Sequence, residues 1–376
     1  MVNKIMFHIN SLGKGGAERV VVNLSEEFVG MGKEVVIATE WEAKDEYPLP
    51  DQVLRLDAGL KEEEESLSGS KQRSLRTRRL HDLILRERPD VVLSFCRNAN
   101  YRAVLAAKGT KVPVIVSVRS DPYVDYASAK QKMLSRWLYG KAAGAVFQTD
   151  YAKDFFPKAV QKKSTVILNP LHKKFLSLTK SKQRRKEIVT AGRFHEAKDH
   201  IVLIKAFERI MEEYPEVLLK LYGDASEDNT HHMLKEYVKA HRLQDRVLFM
   251  GNSNQLEQDL IDAAVFVMSS KYEGMPNALM EAMAMQMPVI STDCPCGGPR
   301  TLIEDGKNGL LTPVGDDEEM AKAIRKVLSE PELAEEMAVH AGEIVKKASP
   351  DRIAGEWLDY IKRVKEKETC QKRRKS

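Results

Sequence analysis

Two glutamates, Glu273 and Glu281, flank a short segment whose residue types suit a ligand with phosphate and hydroxyl groups. The segment reads Glu-Gly-Met-Pro-Asn-Ala-Leu-Met-Glu and is predicted to begin a helix after a short loop. The amides of Asn277, Ala278 and Leu279 would then lie at the positive helix end, a favourable site for an anion. The two carboxylates could accept hydrogen bonds from hydroxyl groups of the same ligand.

The elements around this segment predict that it lies at the carboxyl edge of a parallel sheet. The apolar run 264–268 predicts a buried strand before it, and the helix formers after it stop at Pro288. Pro276 fits the first helical position, where a missing N–H costs nothing. Open α/β sheets bind ligands beyond the carboxyl ends of their strands. Amides and carboxylates in this place indicate a sugar nucleotide; the alternative is two solvated glutamates on a surface helix.

Two cations follow another predicted strand, at 187–192. Arg193 and Lys198 lie in the loop after it, where they could neutralise the charge that a diphosphate leaving group develops. Taken alone, such side chains could simply be solvated. Together with the predicted helix-end anion site, they favour diphosphate binding.

A glycine-rich loop, Gly15-Gly16, joins the first predicted strand to a helix. Glycine there would let the backbone approach a ligand closely, although a tight turn without a ligand is the alternative. The dinucleotide fingerprint fails because Glu18 stands where its third glycine is required. A nicotinamide cofactor is therefore disfavoured.

Strands and helices alternate through most of the chain, which predicts an α/β protein with doubly wound parallel sheets. Six strands are predicted in the first half, at 5–9, 34–39, 53–56, 90–95, 114–118 and 145–148. After a lysine-rich segment at 173–186, six more are predicted, at 187–192, 217–223, 246–251, 265–268, 289–291 and 309–311.

This pattern predicts two Rossmann-like domains, 1–169 for the acceptor and 170–350 for the nucleotide, with a ligand in the cleft between their facing carboxyl edges. A final segment, 351–376, consists of an amphipathic helix and a basic tail. Its apolar residues recur at helical spacing, so we expect it to pack back on the first domain.

Composition narrows the class of protein. With 43% hydrophobic and 31% charged residues among 376, the chain is predicted to be globular. Four cysteines do not make a disulfide framework in a chain of this length, which indicates a reducing cytosol. There is no Asp-x-Asp sequence, and Cys294-Pro-Cys296 lacks a second ligand pair, so no metal or other cofactor is expected. No apolar run approaches the ~20 residues that span a bilayer, and the start shows no signal-peptide pattern.

The combined motifs resemble the family-4 retaining glycosyltransferases of the GT-B fold. The matching segments are Gly15–Glu18, Ala191–Arg193 with Lys198, Glu273–Glu281 and Gly297–Leu311. The resemblance covers nearly the whole chain. Within the family it is most similar to bacterial enzymes of lipid-linked oligosaccharide or capsular polysaccharide assembly, such as the GalNAc transferase of N-glycan assembly.

The resemblance implies a role for each matching residue of the second domain. Glu273 would contact hydroxyls of the donor sugar, and Glu281 those of the ribose. Arg193 and Lys198 would hold the nucleotide diphosphate, with help from the amides of 277–279.

For the first domain, the resemblance implies that Gly15 and Gly16 close over the phosphate and the acceptor. Retaining members are thought to react on one face of the sugar, with the leaving phosphate accepting the proton of the acceptor. No enzyme nucleophile is then required, which fits the lack of an obvious pair of close carboxylates.

One residue departs from the family pattern. Many members carry a histidine after the fifth strand of the first domain, and Arg119 stands in that place here. Arginine cannot act as a base, but it can hold a phosphate or polarise a hydroxyl group. Arg119 is therefore a hypothetical acceptor contact.

A basic stretch precedes the fourth predicted strand. Arg73, Arg76 and Arg79 would share one broad face of a helix. This face could be solvated, bind nucleic acid, or contact anionic lipid and an acceptor pyrophosphate. Without interleaved aromatic residues, a nucleic-acid partner is not expected. Similar enzymes use a basic helix here for the acceptor and the membrane, which favours the third role.

The sequence therefore predicts a metal-independent hexosyltransferase that moves a sugar from a nucleotide, expected to be UDP, to a polyprenyl-diphosphate-linked saccharide. We expect it to be cytoplasmic and peripherally associated with the inner face of the cell membrane. The alternatives are a soluble or diacylglycerol acceptor, and a sugar-nucleotide-binding protein without turnover.

Overall fold

The computed structural model describes residues 2–176, 178, 183–226 and 228–373. These form two compact units, Met1–Pro170 with Pro350–Ser376, and Leu171–Ser349. Part of the predicted lysine-rich segment, residues 177 and 179–182, and the basic end at 374–376 lie outside the described residues.

The first unit is built on a parallel sheet of seven strands. The strands are Lys4–His8 (β1), Glu34–Thr39 (β2), Leu54–Asp57 (β3), Val91–Phe95 (β4), Val114–Ser117 (β5), Gly144–Phe147 (β6) and Ser164–Val166 (β7). Their order is β3-β2-β1-β4-β5-β6-β7, so the direction of winding reverses between β1 and β4. Strands β4, β5 and β6 are buried along their whole length, as expected of a sheet covered on both faces. Strand β7 was not predicted.

Seven α-helices connect these strands. They are Gly16–Gly30 (α1), Gly69–Glu87 (α2), Arg97–Ala106 (α3), Pro122–Asp125 (α4), Ala129–Lys141 (α5), Asp150–Asp154 (α6) and Lys158–Gln161 (α7). Local sequence fixes the start of several: Ser128 and Gln131 form a reciprocal capping box on α5, and Thr149 caps α6.

The second unit repeats the plan with six parallel strands. They are Arg185–Ala191 (β8), Leu218–Tyr222 (β9), Val247–Gly251 (β10), Ala263–Met268 (β11), Val289–Thr292 (β12) and Leu310–Thr312 (β13). The order β10-β9-β8-β11-β12-β13 places the reversal between β8 and β11. Both sheets are doubly wound, which confirms the predicted fold class of two Rossmann-like domains.

The helices of the second unit are His200–Glu208 (α8), Thr230–Ala240 (α9), Leu256–Leu260 (α10), Asn277–Ala284 (α11), Gly298–Leu302 (α12), Asp317–Ser329 (α13), Pro331–Ala341 (α14) and Ile344–Ala348 (α15). Helix α11 begins one residue later than predicted. Pro276 has an extended conformation (φ −78°, ψ 103°) and precedes the helix rather than opening it.

The last helix, Pro350–Arg373 (α16), returns to the first unit. Trp357 and Ile361 are fully buried there, and the Trp357 ring stacks on Phe95 with centroids 5.7 Å apart. The hydroxyl of Tyr360 accepts a hydrogen bond from the Ala145 amide at 2.9 Å. The helix therefore completes the core of the first unit. Among the described residues, no helix combines the length and hydropathy needed to cross a bilayer.

Candidate active site

The predicted donor-binding residues of the second unit lie at the carboxyl edge of its sheet, where the winding reverses. Strands β8 and β11 are parallel neighbours, so the loops that follow them begin side by side. One loop carries Arg193 and Lys198, and the other carries Glu273. Ligands of open α/β sheets bind at such a reversal.

Lys198 and Glu273 form a direct ion pair between Nζ and Oε1. Ser270 donates a hydrogen bond from its hydroxyl to the same carboxylate oxygen at 2.8 Å. The Glu273 side chain is 13% exposed and that of Lys198 is 33% exposed, so both can still meet a ligand. An ammonium group has three N–H donors, and a carboxylate has two acceptor oxygens. The pair thus keeps hydrogen-bonding capacity for phosphate and hydroxyl groups.

Short hydrogen bonds between the loops hold this pair in position. The Ser269 hydroxyl donates to the Lys198 carbonyl at 2.9 Å, and the Lys271 amide donates to the Ala197 carbonyl at 2.8 Å. The Thr292 hydroxyl at the end of β12 donates to the Ser270 carbonyl at 2.6 Å. Three neighbouring strands therefore support one small group of side chains.

Arg193 directly follows the turn after β8. The next residue, Phe194, is 1% exposed and stacks on His231, with ring centroids 4.8 Å apart. The Arg193 side chain is exposed, and within the described residues its guanidinium has no partner. The buried aromatic anchor fixes the backbone, while the cation stays available to an anion.

Helix α11 is the element at whose start the anion site is predicted. Its first internal hydrogen bond runs from the Met280 amide to the Pro276 carbonyl at 3.1 Å. The amides of Ala278 and Leu279, in the first turn, therefore have no carbonyl acceptor within the helix. Glu281, one turn in, is buried at 7% exposure.

The loop between Glu273 and α11 packs against the N-terminus of helix α12. The Glu273 amide donates to the Pro295 carbonyl at 3.3 Å, and Gly298 at the start of α12 packs on the Gly274 backbone. A Cβ atom on Gly298 would overlap the Gly274 carbonyl oxygen and lie 2.8 Å from Pro276 Cδ. The glycine is required for this close approach.

The nearby thiol is unsuited to nucleophilic chemistry. Burial, together with the Glu273 carboxylate, raises the pKa of Cys294 to about 12, so the group stays protonated at neutral pH. Among the residues that the structure describes, no group of three or more His, Cys, Asp or Glu side chains is arranged to hold a metal ion.

Gly15 and Gly16 belong to the first unit and lie where its winding reverses, with Gly15 at the N-cap of α1 and Gly16 as its first residue. The Gly15 amide donates to the Gly13 carbonyl at 2.6 Å, which closes a tight turn. A Cβ atom on Gly15 would collide with the carboxylate of Glu18. Glu18 thus folds over the glycine turn.

Arg119 packs against the aromatic core of the first unit. Its guanidinium carbon lies 4.5 Å from the Phe95 ring centroid and 5.7 Å from that of Trp357. Nη1 donates to Asn169 Oδ1 at 2.8 Å, whereas Nε and Nη2 are buried without a hydrogen-bond partner among the described residues. Burial lowers the pKa of Arg119 to about 9. Its role as an acceptor contact stays a prediction.

The three arginines of α2 do not form one free basic face. Arg76 Nε lies 3.6 Å from Glu40 Oε2, and Arg79 Nη2 lies 2.7 Å from Glu64 Oε2. Arg73 is exposed. Two of the three charges are therefore compensated by carboxylates that follow β2 and β3, a pairing that helical spacing alone does not indicate.

A buried polar cluster that the sequence did not reveal lies beside Arg76. Glu40 is 4% exposed and pairs with Arg102. His8 Nε2 lies 3.4 Å from Glu40 Oε1, and burial lowers the pKa of His8 to about 3. His8 is therefore neutral at physiological pH.

Two family models match the chain in succession. The model described as Glycosyltransferase Family 4 matches residues 14–174, and that described as Glycosyl transferases group 1 matches residues 175–344. Together they span residues 14–344, which include every strand after β1 and every predicted donor-binding residue.

Two relatives match much of the chain. An N-acetylgalactosamine-N,N'-diacetylbacillosaminyl-diphospho-undecaprenol 4-alpha-N-acetylgalactosaminyltransferase from Campylobacter jejuni is 26% identical over 375 residues, covering 96% of this chain and all of that protein. An uncharacterised glycosyltransferase of Methanocaldococcus jannaschii is 26% identical over 330 residues, covering 77% and 79% of the two chains.

Solved structures share the fold. HepE from Anabaena in complex with UDP superimposes with a TM-score of 0.79 at 16% identity, covering 96% of this chain and 99% of that chain. This likeness confirms the predicted two-domain architecture. The chain therefore belongs to the glycosyltransferases of the GT-B fold, with an N-terminal family 4 domain followed by a group 1 domain.

Proposed function

We propose that this glycosyltransferase moves a hexose or N-acetylhexosamine from a UDP-sugar to a polyprenyl-diphosphate-linked saccharide, with retention of configuration and without a metal ion. The observation that carries the proposal is the Lys198–Glu273 ion pair at the reversal of the second sheet. The full-length similarity to the Campylobacter enzyme, whose name specifies a diphospho-undecaprenol acceptor, supports the acceptor class. The acceptor places the enzyme at the inner face of the cell membrane.

The charges around the ion pair suit a nucleotide diphosphate. Arg193 and the remaining N–H groups of Lys198 would bind the phosphate oxygens, together with the amides at the start of α11. The free oxygen of Glu273 would accept a hydrogen bond from a sugar hydroxyl group. Glu281 would accept one from the ribose. Cations and a helix end then perform the charge neutralisation that a metal ion performs in other transferases.

The proposed reaction needs no nucleophile from the protein. The acceptor hydroxyl oxygen forms a bond to the anomeric carbon on the face from which the diphosphate departs. The bond between that carbon and the phosphate oxygen breaks, and a phosphate oxygen takes the hydroxyl proton. Arg193 and Lys198 stabilise the negative charge that develops on the diphosphate.

The donor is tested by heat denaturation with UDP-Glc, UDP-Gal, UDP-GlcNAc and UDP-GalNAc, each added separately. A bound donor raises the melting temperature by mass action, and the Arg193→Ala variant loses most of that shift. Lys322→Ala, which removes an exposed cation of α13, is the matched control and keeps it. Equal shifts in wild type and Arg193→Ala would contradict the donor site.

The reaction is tested by transfer to a short-chain polyprenyl-diphosphate disaccharide. The product's anomeric configuration, read by NMR coupling, should match that of the donor, and EDTA should leave the rate unchanged. Transfer only to a diacylglycerol or soluble saccharide would refute the acceptor class, and donor binding without any turnover would indicate a sugar-nucleotide-binding protein.

A further inference from the structure

Helix α5 exposes a stripe of large apolar side chains. Met133 is 70% exposed, Trp137 is 53% exposed and Leu134 is 38% exposed. Their spacing of one, three and four residues places them on one face of the helix. A contiguous apolar patch of this kind on a protein surface commonly marks an interaction site.

The opposite face of α5 packs into the core of the first unit. Ser135, Leu138 and Tyr139 are buried, and the Tyr139 ring stacks on Phe156 with centroids 5.1 Å apart. The helix therefore has its own packing partners, and the stripe is not needed for the fold. It is an apolar face left over after the core is complete.

The stripe is flanked by positive charge on its own helix. Helix α5 contains four cations and no carboxylate, at Lys130, Lys132, Arg136 and Lys141. Lys141 Nζ lies 3.6 Å from the Trp137 ring centroid, so charge and ring are adjacent. The neighbouring helix α6 has two exposed acidic residues, Asp150, whose carboxylate lies 3.7 Å from Lys153 Nζ, and Asp154.

Aromatic rings extend the patch towards α4 and α6. Arg136 Cζ lies 5.6 Å from the Phe155 ring, which contacts the Tyr123 ring at 5.0 Å. Tyr123 and Tyr151 are both 42% exposed, with ring centroids 4.9 Å apart. Tryptophan and tyrosine side chains combine an apolar ring with a polar N–H or O–H group. They are therefore suited to the boundary between lipid headgroups and acyl chains.

We propose that α5 is the surface by which this protein docks on an anionic membrane. The apolar stripe would enter the headgroup region while the flanking cations meet anionic lipid. This inference rests on the proposed function, because a lipid-linked acceptor requires the enzyme to bind a membrane. It assigns that membrane contact to α5. Helix α2 is less suited, because Arg76 and Arg79 are already paired with carboxylates.

Vesicle cosedimentation of the full chain tests the surface, with phosphatidylcholine vesicles that contain or lack phosphatidylglycerol. The double variant Met133→Glu/Trp137→Glu should weaken partitioning by at least about tenfold, because two apolar side chains leave the interface. Lys130→Gln/Lys141→Gln should weaken binding to phosphatidylglycerol vesicles alone. Met233→Glu, at a 63% exposed position of the second unit, is the matched control and should bind as wild type.

A spectroscopic readout is independent of folding defects. In a Trp41→Phe background, which removes the other exposed tryptophan, vesicles should shift the emission of Trp137 to shorter wavelength and brominated lipid should quench it. Unchanged emission, or wild-type vesicle binding by the double variant, would overturn the proposal. The proposal would also be overturned if the wild-type protein is an oligomer, the double variant is a monomer and vesicle binding is unchanged.

Donor protection separates the two proposals. The double variant should keep the wild-type melting shift with UDP-sugar while it loses vesicle binding. If vesicle binding depends on α5 but no polyprenyl-diphosphate acceptor is used, the proposed function fails and the docking surface stands. If transfer occurs and vesicle binding ignores α5, the docking surface fails alone.

Discussion

The substitution Gly298→Ala should separate catalytic geometry from overall stability. Gly298 is in helix α12, so its backbone suits alanine, and the added methyl group is the whole perturbation. That methyl would lie 2.8 Å from Pro276 Cδ and 3.1 Å from the Gly274 carbonyl carbon, where ordinary contacts begin at 3.4 Å. The methyl group would also overlap the Gly274 carbonyl oxygen, which is its nearest neighbour, so the loop that joins Glu273 to α11 must move by roughly 1 Å or more.

The size of the effect follows from where this loop leads. Overpacking of this kind costs about 1–3 kcal/mol of stability. The same shift changes the position of the Glu273 carboxylate relative to Lys198 and the first amides of α11. Because a misplacement of about 1 Å in an active site can cost about 100-fold in rate, we expect kcat/KM to fall by about 10- to 100-fold.

The assay is UDP release with a polyprenyl-diphosphate acceptor, combined with urea denaturation of the same preparations. Gly355→Ala in α16 is the matched control, because a methyl group there meets no atom within 4 Å. Alanine in a helix interior should raise stability by about 0.5–1 kcal/mol and leave the rate unchanged. A Gly298→Ala enzyme with wild-type kcat/KM would refute the placement of the Glu273 loop.

Three further predictions concern the site, the pH and the last helix. Glu273→Gln, which removes the charge that pairs with Lys198, should lower turnover by at least about 100-fold while UDP still protects against heat; an active variant would contradict the role of the carboxylate. Burial lowers the pKa of both His8 and His200 to about 3, so the unfolded chain binds more protons between about pH 6.5 and pH 3. Stability should thus fall as the pH drops through this window, by about 2 kcal/mol per histidine at about pH 5, and urea midpoints that do not change would argue against neutral burial. Tyr360→Phe leaves the buried Ala145 amide of β6 with only the long hydrogen bond to the Lys163 carbonyl at 3.4 Å, and it should cost about 1–3 kcal/mol in urea denaturation; an unchanged midpoint would show that this second acceptor is sufficient.

The sheets were predictable because their strands are short apolar runs separated by helical patterns. All six strands of the second unit and six of the first occur close to the predicted residues. Strand β7 reads Ser-Thr-Val and is only half-buried, so it gives no apolar signal. It forms because β6 offers an open edge for pairing.

The sequence indicated that Lys198 and Glu273 lie in loops at the edge of one sheet, but it did not indicate their contact. Helix propensity and Pro276 indicate where α11 begins, to within one residue. The pairing of Lys198 with Glu273 depends on β8 and β11 being neighbours, and strand order is a tertiary property. The same holds for Arg76 and Arg79, whose carboxylate partners are distant in sequence. Local periodicity gives the direction of a side chain on its helix, not the group that it meets.

The return of α16 to the first unit has a consequence for biosynthesis. Residues 171–349 form a continuous stretch with its own sheet, so they can fold on the ribosome before translation ends. Residues 1–170 cannot complete their core until later, because Trp357 and Ile361 belong to that core and are synthesised after the second unit. A nonsense codon just after Ser349 would therefore leave a finished second unit attached to a first unit with an uncovered apolar groove, which makes the truncated product a substrate for chaperones and proteases.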